Sequence, residues 1–160
     1  MIIFGAGKLT VTPKVGTPAQ IGIVQDVTID FSFSKKELYG EHQFPVDVAR
    51  GQGKINIKAK AAKIDAKLFN DIFFGVTAVT VGDKTTIEVE NLPMGSNPWF
   101  ALEFAVERDG KKMTLKFVKC SSSKLALNFK NEDYTIPDFD IDAIADEQGK
   151  LYTLEFVEPV

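Results

Sequence analysis

The chain has 160 residues, 44% of them hydrophobic, and a net charge of −3 from 19 Lys and Arg against 22 Asp and Glu. This length suits a single domain over residues 1–160, and this composition can bury a real core. The charge balance excludes a strongly basic nucleic-acid binder, and a lone Cys120 with a lone His42 excludes an internal disulfide framework and a thiolate zinc site. The composition points away from an enzyme, and no cofactor is expected.

Thirteen Phe against three Tyr and one Trp indicate buried rings that need no polar partner. No run approaches the roughly 20 apolar residues that cross a bilayer as a helix. Met1–Lys8 has no basic segment and too short an apolar run for a signal peptide, so folding in the cytoplasm is expected.

Taken in chain order, period-two alternation dominates. Val27, Ile29, Phe31 and Phe33 alternate with Thr28, Asp30, Ser32 and Ser34, which predicts a strand with one face on a core and one in water. Ile55, Ile57, Ala59 and Ala61 alternate in the same way with Lys54, Asn56, Lys58 and Lys60. Between these strands lies Lys35–Gly53, which contains Tyr39, Phe44 and Val46 among mixed charges. Hairpin connections usually take 2–5 residues, so this predicts a long inter-strand loop, of a kind more often functional than idle.

Ala66–Phe74 changes period. Leu68, Phe69, Ile72 and Phe73 fall on one helical face, Asp65 suits the N-cap and Gly75 the left-handed residue that ends a helix. A short flanking α-helix is expected there. A strand is expected at Thr86–Glu90. Phe100, Leu102, Phe104 and Val106 then lead through Asp109-Gly110 to Met113, Leu115 and Phe117, a hairpin whose turn residues tolerate positive φ. Further strands are expected at Leu125–Phe129, Ile136–Ala143 and Leu151–Phe156. The pattern as a whole predicts a mainly β fold, an antiparallel sandwich or barrel.

Charge is uneven along the chain. Residues 133–160 carry eight acids against Lys150 alone, while residues 1–132 carry 18 bases and 14 acids. An acidic end beside a basic body suits head-to-tail contact between copies; a solvated acidic edge fits the same pattern.

Catalytic motifs fail on inspection. Gly7-Lys8 lacks the earlier Gly and the following hydroxyl of a phosphate-binding loop, since those positions hold Ile2 and Leu9. Asp138, Asp140 and Asp142 open with calcium-loop spacing, but Ala143 and Gly149 stand where Gly and Glu are required. With Phe139 and Ile141 between them, these acids read as the wet face of a strand. Ser121-Ser122-Ser123 lacks the glycines of a nucleophile elbow. Trp99 suits either core packing or ligand stacking, the latter in a monomeric β-barrel or sandwich binding a small ligand or carbohydrate.

The runs Gln25–Ser34, Lys36-Glu37-Leu38-Tyr39-Gly40 and Gln43–Gly51, with Lys54–Lys60 and Leu68–Gly75 after them, resemble the tail tube proteins (major tail proteins) of tailed bacteriophages. The resemblance covers residues 22–75 best. It implies a structural virion protein, six copies to a ring and rings stacked into a tube that holds the tape measure protein and conducts the genome. DNA would pass in transit without specific binding. Other implied partners are a tail tip or baseplate initiator and, in contractile tails, a sheath. The implied location is the virion tail, after assembly in the bacterial host cytoplasm. The family's long loop reaches the adjacent ring, which would give contact roles to Lys36, Glu37, Leu38, Tyr39, Phe44, Val46, Asp47 and Arg50. Asp30, Ser32, Lys54 and Lys58 would face the lumen. Since the resemblance implies an acidic lumen, Lys54, Lys58 and Lys60 would either be paired with acids or lie on a face that points elsewhere.

Overall fold

The computed structural model describes residues 7–14, 16–21, 24–61, 66, 70–91 and 93–158. Ten strands carry the fold: β1 (Lys8–Pro13), β2 (Ala19–Ile21), β3 (Val24–Tyr39), β4 (Pro45–Ala61), β5 (Ala78–Val81), β6 (Lys84–Ile87), β7 (Phe100–Arg108), β8 (Lys111–Ala126), β9 (Asp138–Ile144) and β10 (Tyr152–Val157). All pair antiparallel. The main sheet runs β2-β1-β7-β8-β9-β4-β3, with β10 also on β8, and β5-β6 forms a separate hairpin.

The sixteen-residue β8 belongs to two layers. Its first half pairs with β7 on one edge and β10 on the other, while its second half pairs with β9. The layers close on one apolar core. Leu9, Val11, Leu102, Phe104, Leu115 and Phe117 come from one side, and Ile55, Ile57, Phe139 and Ile141 from the other. Fully burying a side chain of this size stabilises by about 1.5–3 kcal/mol.

The predicted hairpin is present. Arg108 pairs with Lys111 across Asp109-Gly110, whose φ values are 53° and 76°. Two positive φ values match the right-handed twist of the flanking strands. Alternation in β9 is also as expected, with Asp138, Asp140 and Asp142 half-buried outside and Phe139, Ile141 and Ala143 buried inside. Strand β8 ends at Ala126, so the strand expected over Leu125–Phe129 is only its last residues.

Two expectations are corrected. The segment Lys35–Gly53 is not a long loop: β3 runs to Tyr39 and β4 starts at Pro45, leaving only residues 40–44 as the connection. The register Lys35↔Arg50, Lys36↔Ala49, Glu37↔Val48 and Leu38↔Asp47 makes it a two-stranded ribbon. Mixed charge hid the strands because neither face is buried, which removes the alternation that marks a strand.

Of the expected α-helix, Ala66 is α-helical and Asn70–Phe74 forms a π-helical turn. Asp65, Leu68 and Phe69 lie outside the described residues. Gly75 N–H donates to the Asn70 carbonyl at 2.6 Å, a reach of five residues rather than four. The Asn70 side chain holds the wide turn from within, donating to the Val76 carbonyl and accepting from the Val76 N–H. Gly75 takes φ +62°, the left-handed end foreseen from sequence.

Candidate functional site

Beyond Phe33 the β3–β4 ribbon leaves the core. Strand β9 pairs with β4 only from Ile55 to Lys60, so residues 34–51 have each other as their strand partners. Six residues of strand from Ser34 to Tyr39 give a reach of about 20 Å. The arm carries large apolar groups in water: Leu38, Tyr39, Val46 and Val48 are exposed, and Phe44 at the tip is 79% exposed. Such surface is normally covered by a partner.

Local contacts keep the arm in shape. The Arg50 guanidinium lies over the Phe33 ring at 4.8 Å. This cation–π contact at the root softens the placement of Lys35 directly opposite Arg50. Tyr39 donates its hydroxyl to Glu37, and that bond holds the phenol pKa above its ordinary value. All eight contact residues expected from sequence, Lys36, Glu37, Leu38, Tyr39, Phe44, Val46, Asp47 and Arg50, fall on this one arm.

The second surface is the wet face of the layer β3-β4-β9-β8. Its register forms cross-strand rows: Asp30–Asn56–Asp142–Ser121, Thr28–Lys58–Asp140–Lys124 and Asp26–Lys60–Asp138–Ala126. Ser32 and Lys54 form the next row, with Ser32 Oγ donating to the Lys54 carbonyl at 3.4 Å. The four residues expected to share a lumen face, Asp30, Ser32, Lys54 and Lys58, do share one face.

Two of the β4 lysines have acids as cross-strand neighbours. Lys60 stands between Asp26 and Asp138, and Lys58 stands beside Asp140. Asn56 Nδ2 donates to Asp142 Oδ1 at 3.0 Å. Five carboxylates (Asp26, Asp30, Asp138, Asp140, Asp142) and four lysines (Lys54, Lys58, Lys60, Lys124) leave this face one unit negative. The chain's sequence alone showed the lysine stripe but not the flanking acids, which come from a strand about 80 residues away.

A third feature is the set of unpaired edges on that layer. Among the described residues β3 (sixteen residues) pairs with β4 alone, and no described strand pairs with its other edge. At the opposite side, β7 pairing ends at Cys120, and no described strand pairs with the outer edge of residues 121–126. Long open edges invite pairing with another chain. The serine run has a structural role here: register shifts between Ser122 and Lys124, and Ser122 and Ser123 Oγ both donate to the Asp140 carbonyl, at 3.2 and 3.3 Å.

A thiolate–imidazole pair, the nucleophilic chemistry that Cys120 and His42 could offer if within hydrogen-bond reach, is not assembled. Cys120 is buried, and desolvation pushes its thiol pKa up to about 12, whereas His42 is exposed in the connection at the tip of the arm. Trp99 borders a groove of about 360 Å³, but Lys119 Nζ lies over its ring at 4.7 Å and is anchored by Glu147 at 3.1 Å. One face of the ring is thus occupied by a cation from the same chain.

No protein-family model matches the chain, and no curated protein matches it. Solved structures match in fold. A chain of the anti-feeding prophage (AFP) baseplate, determined by cryo-EM with six-fold symmetrisation, superposes with a TM-score of 0.57 at 8% identity, over 98% of this chain and 95% of that one. A chain of an extracellular contractile injection system, the PVC sheath–tube complex in its extended state, gives 0.57 at 14% identity, over 96% and 91%. A chain of the native gene transfer agent virion gives 0.50 at 10% identity, over 94% and 95%. The chain has the fold of chains found in tail-like and injection particles.

Proposed function

We propose that this chain is the structural subunit of a tail-type tube. Six copies close into a ring, rings stack, and the lumen admits a tape measure protein during assembly and DNA during delivery. The observation that carries this reading is the four-stranded layer β3-β4-β9-β8, which has a solvated face and, among the described residues, an unpaired edge on each side. Joining such layers edge to edge removes every open edge and yields a closed barrel.

The reading gives each surface a role. The face bearing Asp30, Ser32, Lys54 and Lys58 lines the lumen. There the carboxylates beside Lys58 and Lys60 and the net negative balance of the face disfavour phosphate, which suits a conduit that DNA crosses without being held. The arm reaches the next ring and buries Leu38, Tyr39, Phe44 and Val46 against it. That contact is heterologous, so it propagates as a filament. The fold shared with chains of the AFP baseplate and the PVC sheath–tube complex supports a tail location, with a tip initiator and a sheath as candidate partners.

Sedimentation velocity and light scattering over a concentration series test the proposal. Discrete large species that grow with concentration are expected. A single monomeric species up to millimolar concentration, with a purified tail tip added as nucleator, would overturn it.

A further inference from the structure

We propose that the joint between neighbouring copies is an antiparallel pairing of β3 with residues 121–126 of β8 from the next copy, specified by Asp26 or Asp30 on one edge and Lys124 on the other. This rests on the ring reading above and adds the strands, their direction and the residues that select the partner.

Direction follows from strand count. The layer holds four strands in strictly antiparallel order, β8-β9-β4-β3, so its two outer strands run in opposite directions. Copies related by rotation about a barrel axis keep the same orientation. The β3 edge of one copy therefore meets a β8 edge running against it, and the antiparallel ladder continues through the joint.

Charge and apolar surface select the same pair of edges. On the wet face β3 presents Asp26, Thr28 and Asp30, all exposed, and the free part of β8 presents exposed Lys124. On the core face, half-buried Val27 and Ile29 of β3 would meet half-buried Leu125, closing the core where the single chain leaves it open. Within one chain the row Lys124–Asp140–Lys58 ends on Thr28. Closing a barrel requires a stagger between strands, and an even stagger preserves the faces. A two-residue step in either direction sets Lys124 opposite Asp26 or Asp30. The competing arrangement, two β3 edges related by a two-fold axis near Thr28 or Asp30, sets carboxylate against carboxylate, which is destabilising.

A charge swap in the full chain tests the joint, read as the protein concentration at which half the material sediments as rings or tubes. Lys124→Glu is expected to raise that concentration at least about tenfold, since each joint turns from attraction to repulsion. Asp26→Lys or Asp30→Lys, whichever lies opposite, is expected to do the same. The double variant joining that change to Lys124→Glu is expected to return to within about threefold of the unaltered chain. Because Lys124 also stands opposite Asp140 in its own chain, Lys124→Ser serves as a milder variant, and thermal melts confirm folding. Assembly by Lys124→Glu at the unaltered concentration, or failure of both double variants to recover, would overturn the joint while leaving the tube reading intact. Failure of the unaltered chain to assemble at all, with nucleator present, would overturn both.

Discussion

Phe31 of β3 and Tyr152 of β10 place their ring centroids 5.3 Å apart, and both rings lie 6.1–6.4 Å from that of Phe117 on β8. This cluster ties the two layers together where the arm leaves the core. Phe117 is 1% exposed and Phe31 is 42% exposed. Phe117→Ala should cost about 3–5 kcal/mol and Phe31→Ala about 1–2 kcal/mol. Chemical denaturation of the monomeric form checks both values; equal costs would contradict this account of the cluster.

The arm lies outside that core, so its apolar residues should matter for assembly and little for folding. Replacing Tyr39, Phe44 and Val46 together by Ser is expected to change monomer stability by no more than about 1 kcal/mol. The same variant should lose ring stacking in electron micrographs. A variant that stacks normally would remove the arm from the interface.

The turn at Asn70 has a separate vulnerability. Asn70→Ala leaves the Val76 N–H and carbonyl without their partner, at a cost of about 1–3 kcal/mol. Gly75→Ala should cost a similar amount, about 1–3 kcal/mol, because φ is +62° and the added Cβ would stand 2.8 Å from Pro98 Cβ. Melting temperatures of the two variants check this.

Cys120 predicts a pH dependence. Burial raises its thiol pKa from 9.0 to about 12. The unfolded chain therefore releases this proton first as pH rises. Its effect on stability is nil below about pH 9, and stability falls between there and about 12. At pH 8 the folded protein should resist a thiol-reactive disulfide reagent and react only on unfolding. Rapid labelling of the folded chain would contradict the burial.

The extent to which sequence foresaw the fold follows the physics of each segment. Strands with one buried face, such as Ile55–Ala61 and Phe100–Val106, were legible because alternation is the direct trace of half-burial. The Asp109-Gly110 turn was legible through its backbone requirement. The arm was not, because strands wet on both faces leave no periodic trace; β2 and β5, of three and four residues, are too short to show one, and β1 carries only the single alternation of Leu9 and Val11 with Thr10 and Thr12. That Asp30 and Ser32 share a face, as do Lys54 and Lys58, was legible from alternation, but their cross-strand neighbours were not. That Lys58 stands beside Asp140 depends on pairing between residues far apart in the chain, which periodicity does not encode. The free edge at Lys124 became visible only once β7 was seen to end its pairing at Cys120.

Electron microscopy of the concentrated protein, with a purified tail tip as nucleator, tests most directly whether copies of this chain close edge to edge around a lumen. Hollow rings or tubes with six-fold end views are expected, their inner wall a continuous antiparallel barrel of β3, β4, β9 and the second half of β8. Particles of monomer size at every concentration, or an assembly whose inner wall excludes these strands, would contradict it.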